Sequence, residues 1–229
     1  MVYAVILAGG KGLRLNSQTP KQLLMLGNRS VLKCSVDAFV NSPAVDRAII
    51  VCEKGIMDII RSDFTSEEYP EIAAFVEGGR ERSDSSFNAL KALPFNDDDI
   101  ILFHDAARPF VTERIISDVV YKASITGAAG TYIPAVDTVA VIQDSIVKDI
   151  PERGSLYYAQ TPQGFRYDII RMAHEKAATG KGSSATDDVS LVMNMGVDVS
   201  MVSGDPCNFK ITTDYDYSIA SILADSRFP

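Results

Sequence analysis

The sequence is poor in cysteine and in long hydrophobic runs. Its three cysteines (Cys34, Cys52 and Cys207) lie far apart and form no CxxC pair, which argues against a disulfide framework or a zinc site and favours a reducing, cytoplasmic compartment. No apolar run approaches the roughly 18 residues that span a bilayer, so we expect no membrane segment. The apolar start lacks a basic region and a small-residue cleavage site, so we expect no signal peptide.

Basic residues are also in deficit. The 229 residues include 22 Lys and Arg against 30 Asp and Glu, a formal net charge of −8. A protein that coats nucleic acid needs an excess of Lys and Arg to displace counterions, so we expect no nucleic-acid partner. The acidic total does not exclude a local pocket for a phosphorylated small molecule.

Short apolar runs alternate with amphipathic stretches along most of the chain. Continuous apolar runs of this kind are typical of buried parallel strands, and apolar residues at helical spacing predict helices between them. The predicted strands cover residues 2–7, 47–52, 72–76 and 100–103, and the predicted helices cover residues 30–39, 83–93, 112–124, 167–178, 187–195 and 214–224. This pattern predicts an α/β fold with a mostly parallel sheet flanked by helices, built as a single domain over residues 1–229.

The alternation breaks between residues 128 and 161, where four segments are strand-like and no helix is evident. These segments are residues 131–134, 138–143, 145–148 and 156–160. A β excursion inside an α/β domain is either a surface flap or an inserted arm that builds a dimer interface. We place the insertion at about residues 134–157.

A glycine-rich segment, AGGKGLR, follows the first predicted strand directly. Glycines allow close backbone approach, so successive N–H groups can cradle phosphates. The segment is not a Walker A loop, since no Gly-Lys-Ser/Thr follows, and it lacks the third glycine of the dinucleotide fingerprint. What remains is the loop with Arg14 and, seven residues later, Lys21, which could converge on one polyphosphate. The alternative is a structural turn with two solvated cations.

Two further motifs lie between a predicted strand and a helix or loop. The first, GGRERSDS, begins at Gly78; its glycines give backbone access, although its Ser and Asp could serve only to cap a helix. The second, HDAARP, begins at His104 and ends the fourth strand, where Asp105 is placed to bind a metal–triphosphate or a hydroxylated substrate. Asp105 could instead cap a turn or pair with Arg108. We expect His104 to be packed or hydrogen-bonded rather than catalytic.

The spacing LAGGxGxR-x5-PK resembles nucleotidyltransferases that join a nucleoside triphosphate to a phosphorylated acceptor. The motifs that follow it in order are GGxxRxxS, HDAARP, Asp137-Thr138, Arg153, TPQ, TDD and NFKIT. Together they resemble the 2-C-methyl-D-erythritol 4-phosphate cytidylyltransferase family over nearly the whole chain. The resemblance implies a Rossmann-like sheet of the nucleotide-diphospho-sugar transferase type and transfer of CMP from CTP to the methylerythritol phosphate, with release of pyrophosphate.

The resemblance also implies residue roles. It assigns Arg14 and Lys21 to transition-state stabilisation, and Arg153 and Lys210 to positioning the acceptor phosphate. The residues that it implies for binding CTP and the acceptor are Ala8, Gly9, Gly10, Gly12, Gly78, Arg82, Ser85, Asp105, Ala106 and Thr138. Mg²⁺ is the implied cofactor, held mostly by the triphosphate and water with Asp105 nearby. Thr138 and Arg153 lie on the β excursion, which in this family is a homodimer arm that reaches into the neighbouring subunit's site.

Two alternative functions remain. The ribitol 5-phosphate cytidylyltransferases of teichoic acid synthesis share most motifs, and residues 149–153 and 156–157 lean towards them, whereas HDAARP favours the methylerythritol enzymes. A catalytically silent nucleotide-binding subunit could carry the same fold, although it would have less need for both Arg14 and Lys21.

Overall fold

A seven-stranded sheet forms the centre of the molecule. The computed structural model describes residues 1–10, 19–179 and 187–227. The strands of this sheet are β1 (Val2–Ala8), β4 (Arg47–Cys52), β5 (Ile72–Glu77), β6 (Ile100–Asp105), β7 (Ala128–Pro134), β10 (Tyr157–Arg166) and β11 (Ser200–Ser203). Their order is β11-β7-β10-β6-β1-β4-β5. β10 is antiparallel to both of its neighbours and the other pairings are parallel, which confirms the predicted mostly parallel sheet.

Helices cover both faces of the sheet. They are α1 (Val31–Val40), α2 (Met57–Asp63), α3 (Arg82–Leu90), α4 (Glu113–Thr126), α5 (Tyr167–Thr179), α6 (Asp188–Met193) and α7 (Asp214–Arg227). Alternate residues of β1 enter different cores, because side chains alternate across a strand. Ala4 and Ile6 pack with residues of α1, α2 and α4, whereas Val5 and Leu7 pack with residues of α3, α5 and α6. None of the helices in the described parts of the chain is long and apolar enough to cross a bilayer.

The local signals in the sequence set the helix starts. Ser30 caps α1, as predicted, by accepting a hydrogen bond from the backbone N–H of Lys33 at 3.1 Å. Asp187 caps α6 in the same way through the N–H of Ser190 at 2.9 Å. Gly127 ends α4 with φ 84°, a left-handed conformation that glycine adopts without steric cost.

The predicted β excursion is only partly separate from the main sheet. β7 and β10 pair with each other, and β10 also pairs with β6. Within the excursion, β8 (Val141–Gln143) and β9 (Ile146–Asp149) form a separate two-stranded sheet, and all their residues are exposed. A second small hairpin, β2 (Met25–Leu26) and β3 (Arg29–Ser30), precedes α1. The helix α2 and the edge strand β11 were not predicted, since both are short and half-exposed.

Candidate functional site

A cavity of about 560 Å³ opens beyond the carboxyl ends of β1, β4, β5 and β6. Ligands of open α/β sheets bind at this edge because loops from neighbouring strands converge there. The lining residues come from the strand ends and the segments that follow them: Leu7, Ala8, Gly9, Gly10, Lys21, Gln22, Glu53, Lys54, Gly55, Glu77, Gly78, Gly79, Arg80, Glu81, Arg82, Ser85, Asp105, Ala106, Ala107 and Lys210. The cavity therefore joins six segments of the described chain that are separate in the sequence.

The first wall is the end of β1 and the short 3-10 helix Lys21–Leu23. Gln22 is buried and donates a hydrogen bond from Nε2 to the carbonyl of Ala8 at 2.9 Å, which ties this helix to the glycine segment. Lys21 lies over Gly10: a Cβ on Gly10 would lie 3.4 Å from Cε and 3.6 Å from Nζ of Lys21. Gly12 and Arg14, which the resemblance places in the same triphosphate loop, lie outside the described residues.

The second wall is the β5–α3 turn with the first turn of α3. Ser85 accepts a hydrogen bond on Oγ from the N–H of Gly79 at 3.0 Å and donates one to the carbonyl of Glu81 at 3.1 Å. The side chain of Asp84 accepts from the N–H of Glu81 at 3.0 Å. Gly78, Arg82 and Ser85, which the resemblance implies for binding CTP, all line the cavity at this turn.

Asp105 ends β6 at the base of the cavity and faces three cations. Its Oδ1 accepts from Nε of Arg82 at 3.2 Å, and its Oδ2 lies 2.8 Å from Nζ of Lys210 and 3.8 Å from Nε of Arg108. Burial would raise the pKa of Asp105, but the charges of these cations outweigh it and hold the pKa well below the usual range. Asp105 is therefore an anion that fixes two of the predicted binding side chains.

The backbone around Asp105 is held by a buried polar chain. Thr161 on β10 accepts a hydrogen bond from the N–H of Asp105 at 3.0 Å, and its hydroxyl also contacts Nδ1 of His104 at 3.1 Å. The other ring nitrogen of His104 lies 3.1 Å from the carbonyl of Arg108. Burial lowers the pKa of His104 to about 4, so the ring is neutral at pH 7. The prediction that His104 is packed and hydrogen-bonded is confirmed.

Lys210 is positioned by a network that the sequence analysis missed. The buried amide of Asn208 donates from Nδ2 to Oε1 of Gln160 at 3.2 Å and to the carbonyl of Thr161 at 2.9 Å. Arg108 donates from Nη1 to the carbonyl of Asn208 at 2.8 Å. These bonds join the loop before Lys210 to β10. Asn208 begins the NFKIT motif, but no local signal in the sequence shows that its partner, Gln160, is 48 residues away.

Thr138 and Arg153 do not line the cavity of their own chain. Thr138 is exposed. Arg153 begins the 3-10 turn Arg153–Ser155 and donates from Nη1 to the carbonyl of Val136 at 3.3 Å. The β8–β9 hairpin between them exposes apolar side chains, including Ile142 and Ile146, each 57% exposed. The described chain alone therefore does not bring these two predicted residues to the others.

The described residues offer few ligands for a metal ion. Within residues 1–10, 19–179 and 187–227, no three His, Cys, Asp or Glu side chains are grouped closely enough to hold one. Both oxygens of Asp105 already face cations, which does not fit direct coordination. Mg²⁺ commonly binds through substrate phosphates and water with few protein carboxylates, and that mode fits this cavity.

Comparison with known proteins shows a family likeness that extends over nearly the whole chain. The family model for 2-C-methyl-D-erythritol 4-phosphate cytidylyltransferase matches residues 2–225. A protein of that name from Geobacter metallireducens is 37% identical over 231 residues, which cover 100% of this chain and 99% of the relative. A ribitol-5-phosphate cytidylyltransferase from Lactiplantibacillus plantarum is 34% identical over 236 residues, which cover 99% of this chain and 100% of the relative.

The fold is also similar to that of a solved structure. The crystal structure of 4-diphosphocytidyl-2C-methyl-D-erythritol synthase from Anaerococcus prevotii superposes with a TM-score of 0.84 at 31% identity, covering 98% of this chain and 96% of that chain. The likeness extends through the strands that bound the cavity, since so little of either chain is left out.

Proposed function

Because the chain belongs to the 2-C-methyl-D-erythritol 4-phosphate cytidylyltransferase family, we propose that it transfers CMP from CTP to 2-C-methyl-D-erythritol 4-phosphate and releases pyrophosphate. One observation supports this most directly: the cavity at the carboxyl edge of the sheet gathers Lys21, Arg82, Asp105 and Lys210 from four separate segments. A cavity of about 560 Å³ lies in the range of small-molecule sites.

The reaction needs positioned charge more than a proton acceptor. A phosphate monoester has a second pKa near 6, so the attacking oxygen is largely ionised at neutral pH and no general base is required. This oxygen forms a bond to the α-phosphorus of CTP, while the bond from that phosphorus to the departing pyrophosphate breaks. The obstacle is the approach of two anions, so positioning and charge neutralisation supply most of the acceleration.

The basic side chains divide between the two substrates. Lys21, beside Gly10, stabilises charge on the triphosphate, and we assign Arg14 the same role. Lys210, held on Asp105, receives the acceptor phosphate together with Arg153. Gly78, Arg82 and Ser85 form the wall for the cytidine, with Ala8, Gly9, Gly10 and Gly12 around the triphosphate and Ala106 and Thr138 near the sugar and acceptor. When bound, Mg²⁺ would add charge neutralisation on the triphosphate, and phosphate and water would hold it rather than a protein carboxylate.

We further propose that the site is completed by a second copy of the chain. The β8–β9 hairpin and its flanks, residues 134–157, would form an arm inserted into one transferase domain. Its exposed apolar side chains need a partner surface, and Arg153 and Thr138 lie outside the cavity of their own chain. The arm of one subunit would bring these two residues to the site of the other.

The cytoplasmic location that the cysteine content favours also stays a prediction.

The acceptor is tested by direct comparison. Purified protein with CTP and Mg²⁺ is offered methylerythritol phosphate or ribitol 5-phosphate, and pyrophosphate release is measured. We expect the higher kcat/KM with methylerythritol phosphate. A preference for ribitol 5-phosphate would support the second candidate, which the similarity to the Lactiplantibacillus plantarum relative favours. CTP binding without turnover on either acceptor would indicate a silent nucleotide-binding subunit.

The shared site is tested by mixing subunits. Lys21→Ala and Arg153→Ala should each abolish most transfer, the first through the triphosphate and the second through the acceptor phosphate. If each site takes these residues from different chains, mixed dimers contain one intact site and regain activity. No recovery after subunit exchange has been verified by mass spectrometry would refute the shared arm.

A further inference from the structure

A buried charged chain continues from the cavity wall into the protein. Asp188, the first residue of α6, is 0% exposed. Its Oδ2 accepts a short hydrogen bond from Nη1 of Arg82 and another from Oγ of Ser86 at 3.2 Å. Its Oδ1 lies 3.0 Å from Nε2 of His174. Asp188, the last residue of the TDD motif, is thus linked to the cavity through Arg82.

Each member of this chain is restrained by the next. Burial would raise the pKa of Asp188, but the charge of Arg82 and the hydrogen bond from His174 outweigh it and keep the pKa below its usual range. Because an ionised carboxylate can only accept, Nε2 of His174 carries the proton in this bond. The His174 ring stacks on Phe87 with centroids 5.4 Å apart and an interplanar angle of 7°. Asp188 is therefore held in one orientation.

The guanidinium of Arg82 bridges two carboxylates. Nη1 is on Asp188 and Nε is on Oδ1 of Asp105, whose other oxygen holds Lys210. If Asp188 lost its charge, Asp105 would be the one carboxylate of this pair that still attracts Arg82. Arg82 would then move towards Asp105 and compete with Lys210 for Oδ2. A change at Asp188 is thus transmitted to Lys210, which it does not touch.

We propose that Asp188 is a positioning residue of the transferase: it holds Arg82 in the cavity wall and thereby keeps Lys210 on Asp105, with His174 fixing Asp188. This inference rests on the function proposed above. The rival explanation is that the buried pair only fastens α6 to α3. The two explanations differ in what they predict for substrate use at temperatures where the protein is fully folded.

Asp188→Asn keeps the shape of the side chain and removes its charge. We expect kcat/KM for the acceptor phosphate to fall by about 10- to 100-fold, mainly through KM, because small displacements of positioning groups have effects of this size. The control is Val192→Ala on the same helix, a fully buried residue of the hydrophobic core. It should lower Tm and leave kcat/KM unchanged.

A double-mutant cycle identifies the route. In a Lys210→Met background the acceptor phosphate has lost Lys210, so adding Asp188→Asn should change the acceptor KM by less than about 3-fold. The same fold-change in both backgrounds would refute transmission through Lys210. An unchanged kcat/KM in Asp188→Asn itself, with a lowered Tm, would show that the pair is only structural and overturn the proposal.

Two further measurements cover the remaining outcomes. If Asp188→Asn does not fold, His174→Phe decides, because it keeps the stacking on Phe87 and removes the hydrogen bond to Asp188; we expect a fall of about 3- to 10-fold in kcat/KM, and no change would overturn the proposal. Wild-type protein is titrated with CTP in parallel. If wild type failed both to bind CTP and to transfer CMP, the proposed function itself would be refuted. A loss of activity in the variants alone is a different result and leaves the proposed function standing.

Discussion

Removal of the charge of Asp105 should destabilise the protein measurably. Asp105 is 8% exposed and faces Arg82, Lys210 and Arg108 within 4 Å. Loss of one partner of a buried ion pair costs about 3–5 kcal/mol. In Asp105→Asn the cost should lie near the lower limit, because Arg82 keeps Asp188 and the Lys210 side chain, 39% exposed, can be hydrated.

The expected change is about 3 kcal/mol at pH 7, which lowers Tm by about 6–12 °C for a chain of this size. Thermal unfolding followed by calorimetry measures it. The control is Asp118→Asn, which removes an exposed pair with Arg114 in which both side chains are 51% exposed; such pairs contribute about 0–1 kcal/mol. A Tm within about 2 °C of wild type would refute the assigned electrostatics of the site.

The pH dependence of this difference has a definite sign. The pKa of Asp105 is lowered in the folded state. Its contribution is therefore fully present above the unfolded-state pKa of about 3.9 and is lost as pH falls from there towards the folded-state value. The difference in unfolding free energy between wild type and Asp105→Asn should stay constant from about pH 8 to pH 5 and shrink below about pH 4. A difference that shrinks already between pH 7 and pH 5 would contradict this assignment.

Three further predictions follow from local geometry. A Cβ in Gly79→Ala would overlap Asp84 and displace the first turn of α3, so CTP affinity measured by calorimetry should fall by about 10-fold, whereas Gly55→Ala, with open space at the same cavity, should bind normally. Gly127→Ala should lose about 1–2 kcal/mol in denaturant unfolding, because its φ is 84°. Cys52, buried with its pKa raised to about 11 by burial, should resist iodoacetamide at about pH 8 until the protein unfolds.

The parts of the fold that were predictable are those with local causes. A continuous apolar run such as β1 has no polar face, so it must be buried on both sides of a sheet. The cap at Ser30 is equally local. The location of the cavity followed from topology, because the carboxyl ends of parallel strands meet at one edge and bring the glycine segments and Asp105 together.

The remaining features depend on pairing between distant segments. Residues of β7 and β10 were grouped with the excursion, since the chain between them shows no helix; their membership in the main sheet is decided by which strands they meet. Asp188 resembles any acidic residue in the first turn of a helix. Its partner Arg82 is 106 residues away, and only the packing of α6 against α3 and α5 reveals that the carboxylate is buried.

The electrostatics of the cavity are compatible with the phosphorylated ligands proposed above, although the whole protein is acidic. The net charge of −8 does not extend to the lining, where basic and acidic side chains are nearly equal in number among the described residues. Lys210 is already neutralised in part, because its Nζ lies 2.8 Å from Asp105. A phosphate close to two negative charges attracts this ammonium much more strongly than a neutral polyol does. Under the proposed function, Lys210 can therefore stay on Asp105 and donate to the acceptor phosphate with its remaining N–H groups, because an ammonium has three donors.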